Sequence, residues 1–307
     1  IIAIMSNNNF MKKIKLVHSV LLIMFVLCFI SCNDKTSQID LVYPDGNVKA
    51  LIMSYDDGLV EDNKLIKLFN ENHIIGTFNL NSEFLSTQKH WPQENGPDII
   101  STYVSKDSVL LIYKNHEIAA HSATHQDFKN LSDNEILKEV TTDIANLNNL
   151  TNSKIVSMAY PFGNSNQHIA ELLSNTGLTN ARTVSDTYNF NLPDTFLLWH
   201  PTCHDSKALD LVDDYIHLNN NKLSLCYVWG HSWEFNDPKR WTSIYEFCQK
   251  IGNQKDIWYV GCGDYIDYQI ALKNLIITNG TIVNPKDNKE VCYKEGGVTK
   301  VIKPGQT

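Results

Sequence analysis

From residue 48 to residue 275 the chain alternates short uncharged apolar runs with longer amphipathic stretches, and this alternation predicts its elements. Residues 48–55 read as a strand apolar on both faces, the pattern of a strand buried inside a parallel sheet. A helix follows over 61–72, with Leu65, Ile66, Leu68 and Phe69 on one side, and then a strand over 76–81. The stretch 82–98, holding Trp91 and Pro92, is too long for a plain connection and is expected to border a binding cleft. Next come a helix over 104–115, a strand over 117–120, and a helix over 132–149 opened by a Ser132/Glu135 capping box. Strands over 155–160 and 178–184 flank a helix ending near Thr176, and 185–204 is irregular. A helix over 207–218, a strand over 223–229, a helix over 241–251, a strand over 257–260 and a helix over 265–275 complete the series.

About seven β/α units in a row imply a parallel sheet that closes into a barrel. Every stretch with chemical interest follows a strand: DDG (56–58), NLN (79–81), HSATH (121–125), PFG (161–163), ARTV (181–184), GHSWEF (230–235) and GCGD (261–264). In such a barrel these strand ends share one rim, so residues far apart in sequence can meet there. The tail, 276–307, departs from the pattern. Its turn signals at Asn279-Gly280, Asn284-Pro285 and Gly296-Gly297 predict a small β appendage.

The DDG pair sits at the end of the most apolar run. Neighbours on a strand point to opposite sides, so Asp56 and Asp57 can serve different ends, although DDG is also a common turn. HSATH supplies two histidines, His121 and His125. Two histidines and one aspartate form a common metal set, and a second carboxylate beside them can act as a base. His200 and His204 lack an accompanying strand-end carboxylate and are read as substrate contacts or structural hydrogen-bonding groups rather than a second metal site.

Composition is that of a globular protein, with 43% hydrophobic and 20% charged residues. Residues 11–32 stand apart: MKKIK is a basic start, 16–30 is apolar but for His18 and Ser19, and FISC ends it at Cys32. This is the layout of a secretory signal, its apolar run being short for a membrane span. FISC is similar to a bacterial lipobox, with Phe29 where leucine is usual, in which the cysteine becomes the lipidated first residue. The expectation is an exported protein, lipid-anchored to the membrane at Cys32 in the bacterial cell envelope, periplasmic or at the cell surface. Residues 1–10 are then an upstream extension and 33–47 a polar linker. The net charge is −8, and the signal carries away three lysines and no acid. So acidic a domain excludes nucleic-acid binding, which needs a basic surface. Cys203, Cys226, Cys248, Cys262 and Cys292 remain after the signal, without CxxC spacing, so neither a zinc ribbon nor a dense disulfide framework is indicated. One disulfide stays open, its partners unassigned.

Together, SYDDG, HSATH, AYPFG and WGHSWEF resemble the motifs of the NodB-type polysaccharide deacetylases, carbohydrate esterase family four, over roughly residues 48–275. That family has a TFDDG-like first motif, an H-S/T-x-x-H second motif matched in full by HSATH, an R-x-P-Y/F third motif, and a late motif bearing a catalytic histidine. The resemblance implies a deformed (β/α)7 barrel, in agreement with the element count. It implies hydrolytic deacetylation of an acetylated polysaccharide or oligosaccharide, at N-acetyl or O-acetyl groups. A divalent metal, zinc first among candidates, would be held by Asp57, His121 and His125 and would activate the attacking water. Asp56 would be the base, His231 the acid, and the backbone N–H of Phe162 an oxyanion donor. Tyr160 and Pro161 of the third motif and Trp199 and Trp233 on the rim would contact substrate, the tryptophans by stacking on sugar rings unless they belong to the core. One position departs from the family: the third-motif arginine is Ala159. The chain has two arginines, Arg182 and Arg240, and Arg182, on the same rim, is the better placed to replace it. The carboxylate partner of His231 is left between Glu234 and Asp264. A non-catalytic glycan-binding lipoprotein on the same barrel is the alternative, with Ala159 as its motive.

Overall fold

Strand β2 (Lys49–Asp57) lies at the centre of the sheet, and its side chains from Lys49 to Asp56 are all buried. A strand with no exposed face has no use for polar alternation, which accounts for the run ALIM. The computed structural model describes residues 39–92, 99–219 and 221–307. The signal-like segment and Cys32 lie outside the described residues.

In chain order, β1 (Ile39–Leu41) precedes β2, and helix α1 (Asp62–Glu71) packs Leu65, Leu68 and Phe69 into the core. Next come β3 (Gly76–Leu80), the antiparallel pair β4 (Gln88–Trp91) and β5 (Ile99–Thr102), and the short helix α2 (Val109–Ile112). Strand β6 (Glu117–Ala120) leads into α3 (Asp133–Thr151), β7 (Ser157–Ala159), α4 (Gln167–Leu173) and β8 (Asn180–Arg182). The series ends with β9 (Cys203–His204), α5 (Ala208–Ile216), β10 (Ser224–His231), α6 (Pro238–Ile251), β11 (Ile257–Tyr259) and α7 (Cys262–Lys273).

The main sheet is parallel in the order β8-β7-β6-β3-β2-β10-β9, with β11 also on β2. It curls. Trp199 bridges to Arg182 of β8, and four residues later β9 pairs with β10, so one continuous segment joins the two outer edges. This is the deformed (β/α)7 barrel expected from the strand count. Register aligns the strand ends: Asp56 lies opposite both Asn79 and His231, and Ala159 opposite Arg182.

The tail forms β12 (Ile276–Thr278) and β13 (Thr281–Val283), then β14 (Val291–Glu295) and β15 (Val298–Ile302). Asn279-Gly280 and Gly296-Gly297 turn the two hairpins with positive φ, as those residue pairs favour. Strand β1 pairs antiparallel with β14, and Tyr43 is fully buried. The end of the stretch read as linker is thus part of the fold, held there by apolar Ile39, Leu41 and Tyr43 packed on the second core.

Two local expectations change. Residues 82–98 were read as loop, yet β4 lies within them; its polar sequence QKHW shows no apolar alternation, and only pairing with β5 makes it a strand. The helix expected over 104–115 is reduced to a turn and the four residues of α2, since Ser105 and Ser108 bond to each other (Ser108 Oγ to Ser105 O, 2.9 Å) instead of continuing a helix. Among the described residues no helix is long and apolar enough to cross a membrane, and the five cysteines are free thiols.

Candidate active site

Asp56, next to last in β2, is buried beneath Arg182, whose Nη2 lies 2.5 Å from both carboxylate oxygens. Asn79 Nδ2 donates to the same carboxylate at 2.9 Å. Burial pushes this carboxyl up, but Arg182, with His121 and His231, outweighs it and holds the pKa down at about 2. Arg182 itself is fully buried, so the pair is a fixed internal charge couple. Arg182 makes this contact from the strand next to that of Ala159.

Strand alternation does not separate the two aspartates. Asp57 has φ +83, which swings its carboxylate back toward the rim. Asp56 Oδ2 and Asp57 Oδ1 each lie 3.8 Å from His121 Nε2. Non-glycine residues in this region are strained, and here Asp57, Ser122, His125 and Phe162 all carry positive φ around one cleft. Gly58 follows with φ +73 and completes the turn.

Asp57, His121 and His125 bring one ligand atom each within 4.8 Å of one another. His125 Nε2 stands 3.6 Å from Asp57 Oδ1. His121 Nδ1 lies 2.8 Å from the carbonyl oxygen of Ala159 and donates to it, which leaves the Nε2 lone pair facing the group. Burial lowers both imidazoles to a pKa of about 4, so they are neutral, as ligands must be. Asp57 is raised by burial, partly offset by His231 and His121. The donor set therefore fits a divalent cation. It is braced from behind: Asp143 accepts the backbone N–H groups of Ser82 and His121 at 2.8 Å each, and Asn81 Nδ2 donates to the carbonyls of His121 and Ser122.

Opposite stands His231, with Nε2 3.9 Å from Asp56 Oδ2. Its Nδ1 lies 3.0 Å from Glu234 Oε1, which settles the partner between Glu234 and Asp264. Burial pulls this imidazole down, but Glu234, Asp56 and Asp57 raise it to about 9, so it is protonated at neutral pH. Arg240, the poorer candidate from sequence, holds the other oxygen of Glu234 at 2.8 Å.

These groups line a cleft of about 530 Å³ walled by Leu59, Trp91, Ile99, Ile100 and Tyr103 on one side and Phe162, Val184, Trp229 and Trp233 on the other. The β4–β5 hairpin thus borders the cleft, as the long stretch suggested. Phe162 is 62% exposed on the turn Pro161–Gly163, closed by Gly163 N–H to Tyr160 O at 2.9 Å. Trp233 is 45% exposed at the mouth. Trp199 is not on the rim: it is buried against Tyr227 and Tyr265, because its segment seals the barrel edge. Tyr160 reaches the cleft wall but spends its hydroxyl on Leu197 O at 2.7 Å, and Pro161 is buried behind it. His200 bonds Thr183 Oγ1 at 2.6 Å and lies apart from the cleft, whereas His204 joins Glu234 at 3.0 Å. The sequence reading gave no role to Asn79, Asn81, Asp143 or Asp205. Asp143 alone left a signal, a carboxylate on the apolar stripe Ile136, Val140, Ile144, Leu147 of α3.

The fold and site define a barrel with a candidate metal group, a buried carboxylate and a carboxylate-paired imidazole at one rim. Residues 44–181 match the family model for polysaccharide deacetylase. A Mycobacterium smegmatis protein assigned as a polysaccharide deacetylase shares the fold, with 18% identity and a TM-score of 0.54 over 80% of this chain and 98% of that one. The family 4 carbohydrate esterase of Streptomyces lividans, solved with acetate, aligns at 13% identity and a TM-score of 0.46, covering 69% of this chain and 92% of its own. No curated protein matches the chain.

Proposed function

We propose that the protein hydrolyses acetyl groups from an acetylated carbohydrate, with a divalent cation held by Asp57, His121 and His125. The observation that carries this reading is a charged carboxylate and a protonated imidazole facing one another across the cleft, Asp56 under Arg182 and His231 beside Glu234. A cation on one carboxylate and two imidazoles, for which zinc is the natural choice, supplies Lewis-acid activation of water and of the acyl oxygen.

Asp56 takes the proton of the attacking water as its oxygen bonds to the acyl carbon. The Phe162 N–H, on the strained turn at the cleft, stabilises the developing oxyanion. His231 gives its Nε2 proton to the leaving nitrogen or oxygen as the bond to the acyl carbon breaks, releasing acetate and a free amine or alcohol. Trp233 and Phe162, exposed at the mouth, offer faces for sugar rings. The departure at Ala159, the motive for a non-catalytic reading, is offset by Arg182 on Asp56. The address belongs to the same proposal: the basic start, apolar run and FISC support export and a lipid anchor at Cys32.

The test is acetate release from N-acetylglucosamine oligomers, acetylated xylan and other O-acetylated glycans by zinc-loaded protein, with loss on chelation and recovery on readdition. A metal-loaded protein that releases acetate from none of them overturns the reading. The address is checked separately by mass spectrometry, Cys32→Ser being expected to lose lipid modification.

A further inference from the structure

Lysine supplies the basic side chains of this protein at all but two positions, and both arginines end on carboxylates next to the reacting groups. Arg182 explains itself by its contact with Asp56. Arg240 touches nothing that reacts. It forks between Glu234, through Nη1, and Asp205, through Nη2. A planar fork can bridge two carboxylates in fixed geometry, which a lysine point charge cannot.

Glu234 follows His231 by three residues in a short turn, and its flexible side chain has rotamers that would face solvent. Three donors hold it in place. Arg240 occupies Oε2 at 2.8 Å, and His204 Nε2 and His231 Nδ1 each lie 3.0 Å from Oε1. Ser206 N–H donates to His204 Nδ1 at 3.3 Å, so His204 carries its proton on Nε2 and points it at Glu234. Behind Arg240, buried Asp205 accepts the Tyr55 hydroxyl at 3.1 Å, and Tyr55 is the neighbour of Asp56. Gly230 makes room for this: a Cβ there would fall 2.3 Å from Asp205 Oδ2. His204, His231 and Glu234 also have spacing that could take a metal. Their nitrogens already meet the carboxylate at hydrogen-bond distance, and a guanidinium shares it, so a cation would be repelled.

Resting on the function proposed above, we infer that Arg240 and His204 are positioning residues for proton donation, holding Glu234 so that the His231 Nδ1–H is fixed and Nε2–H faces the leaving group. The chain of contacts ties the strand that bears the base to the turn that follows the acid. Only a step that needs a proton on the departing atom depends on it. An amide nitrogen or a sugar alkoxide needs one; a nitrophenolate does not.

The experiment compares zinc-loaded wild type, Arg240→Met, His204→Ala and His231→Ala on 4-nitrophenyl acetate and on an N-acetylglucosamine oligomer and an O-acetylated xylo-oligosaccharide. Metal content and melting temperature are measured on each, and His204→Ala, a smaller change, guards against a misfolded Arg240→Met. The expected result is a kcat loss of about 10- to 100-fold on the glycan that wild type deacetylates, part of the roughly 10²- to 10⁴-fold that general acid–base catalysis supplies. On the aryl acetate the loss is several-fold smaller, KM is little changed, and His231→Ala shows the same pattern more strongly. Equal losses on both substrate classes, or none on the glycan, overturn the positioning role while the function stands. A wild type that cleaves the aryl ester but no glycan overturns the function itself, and the inference with it.

Discussion

Arg182 and Asp56 are 126 residues apart in the chain, and the guanidinium lies 2.5 Å from both oxygens of the carboxylate. Neither side chain is exposed, and each gives the other its charged partner, with Asn79 donating to the carboxylate and the guanidinium donating to the Thr183 carbonyl. Arg182→Met is expected to cost about 3–5 kcal/mol of stability, the usual consequence of leaving a buried charge uncompensated. The sign of the pH effect follows from the same contact. With the arginine gone, burial no longer meets its main opponent, the Asp56 pKa rises from about 2, and the acid limb of kcat/KM moves to higher pH. A limb that stays in place would show that Arg182 does not control the base.

The two aspartates are expected to fail differently when changed to asparagine. Asp56 is engaged by Arg182 and Asn79, whereas Asp57 faces His121 and His125. Asp57→Asn should weaken zinc binding, read by titration. Asp56→Asn should keep its metal and lose about 10²- to 10⁴-fold in rate. Equal metal loss in both variants would refute the division.

Glu234→Gln removes the strongest influence that raises His231 against its burial. The imidazole, protonated up to a pKa of about 9, should then lose its proton at lower pH, since burial favours the neutral form. The alkaline limb of the activity profile should shift downward, with the largest deficit near pH 8 and little at pH 6. A profile that merely scales down at every pH would contradict the assignment of His231 as acid.

Asp143→Ala leaves the buried Ser82 N–H without its acceptor and the His121 N–H with only the Leu80 carbonyl, 3.0 Å away. The orphaned donor costs about 1–3 kcal/mol, so a fall in melting temperature is expected. Because His121 is one of the proposed ligand histidines, zinc affinity should fall with it. Unchanged affinity in a folded variant would mean that the histidine loop does not need this brace.

Much of the barrel could be read from the chain. Runs such as ALIM and EIAA mark strands because a strand buried on both faces admits no charge, and the helix starting at Ser132 announces itself by its capping box. Elements lacking such local signals were missed: β4 is polar and exists through β5, and β1 exists through β14. Trp199 shows the limit from the other side, since a tryptophan beside rim motifs reads alike whether it faces a sugar or seals a sheet edge.

The sequence by itself determined which strand ends supply the titratable groups of the cleft, because DDG, HSATH and GHSWEF are local patterns whose residue types already limit what they can do. Tertiary structure alone decided how those groups are charged and aimed. Asp57 turns toward His121 through a backbone angle that no alternation rule contains. Arg182 reaches Asp56 because β8 curls round to the rim, and Arg240 reaches Glu234 because α6 packs its first turn against the turn after β10. Burial and charge pairing act across space, and contacts between residues distant in the chain leave no mark on either segment read alone.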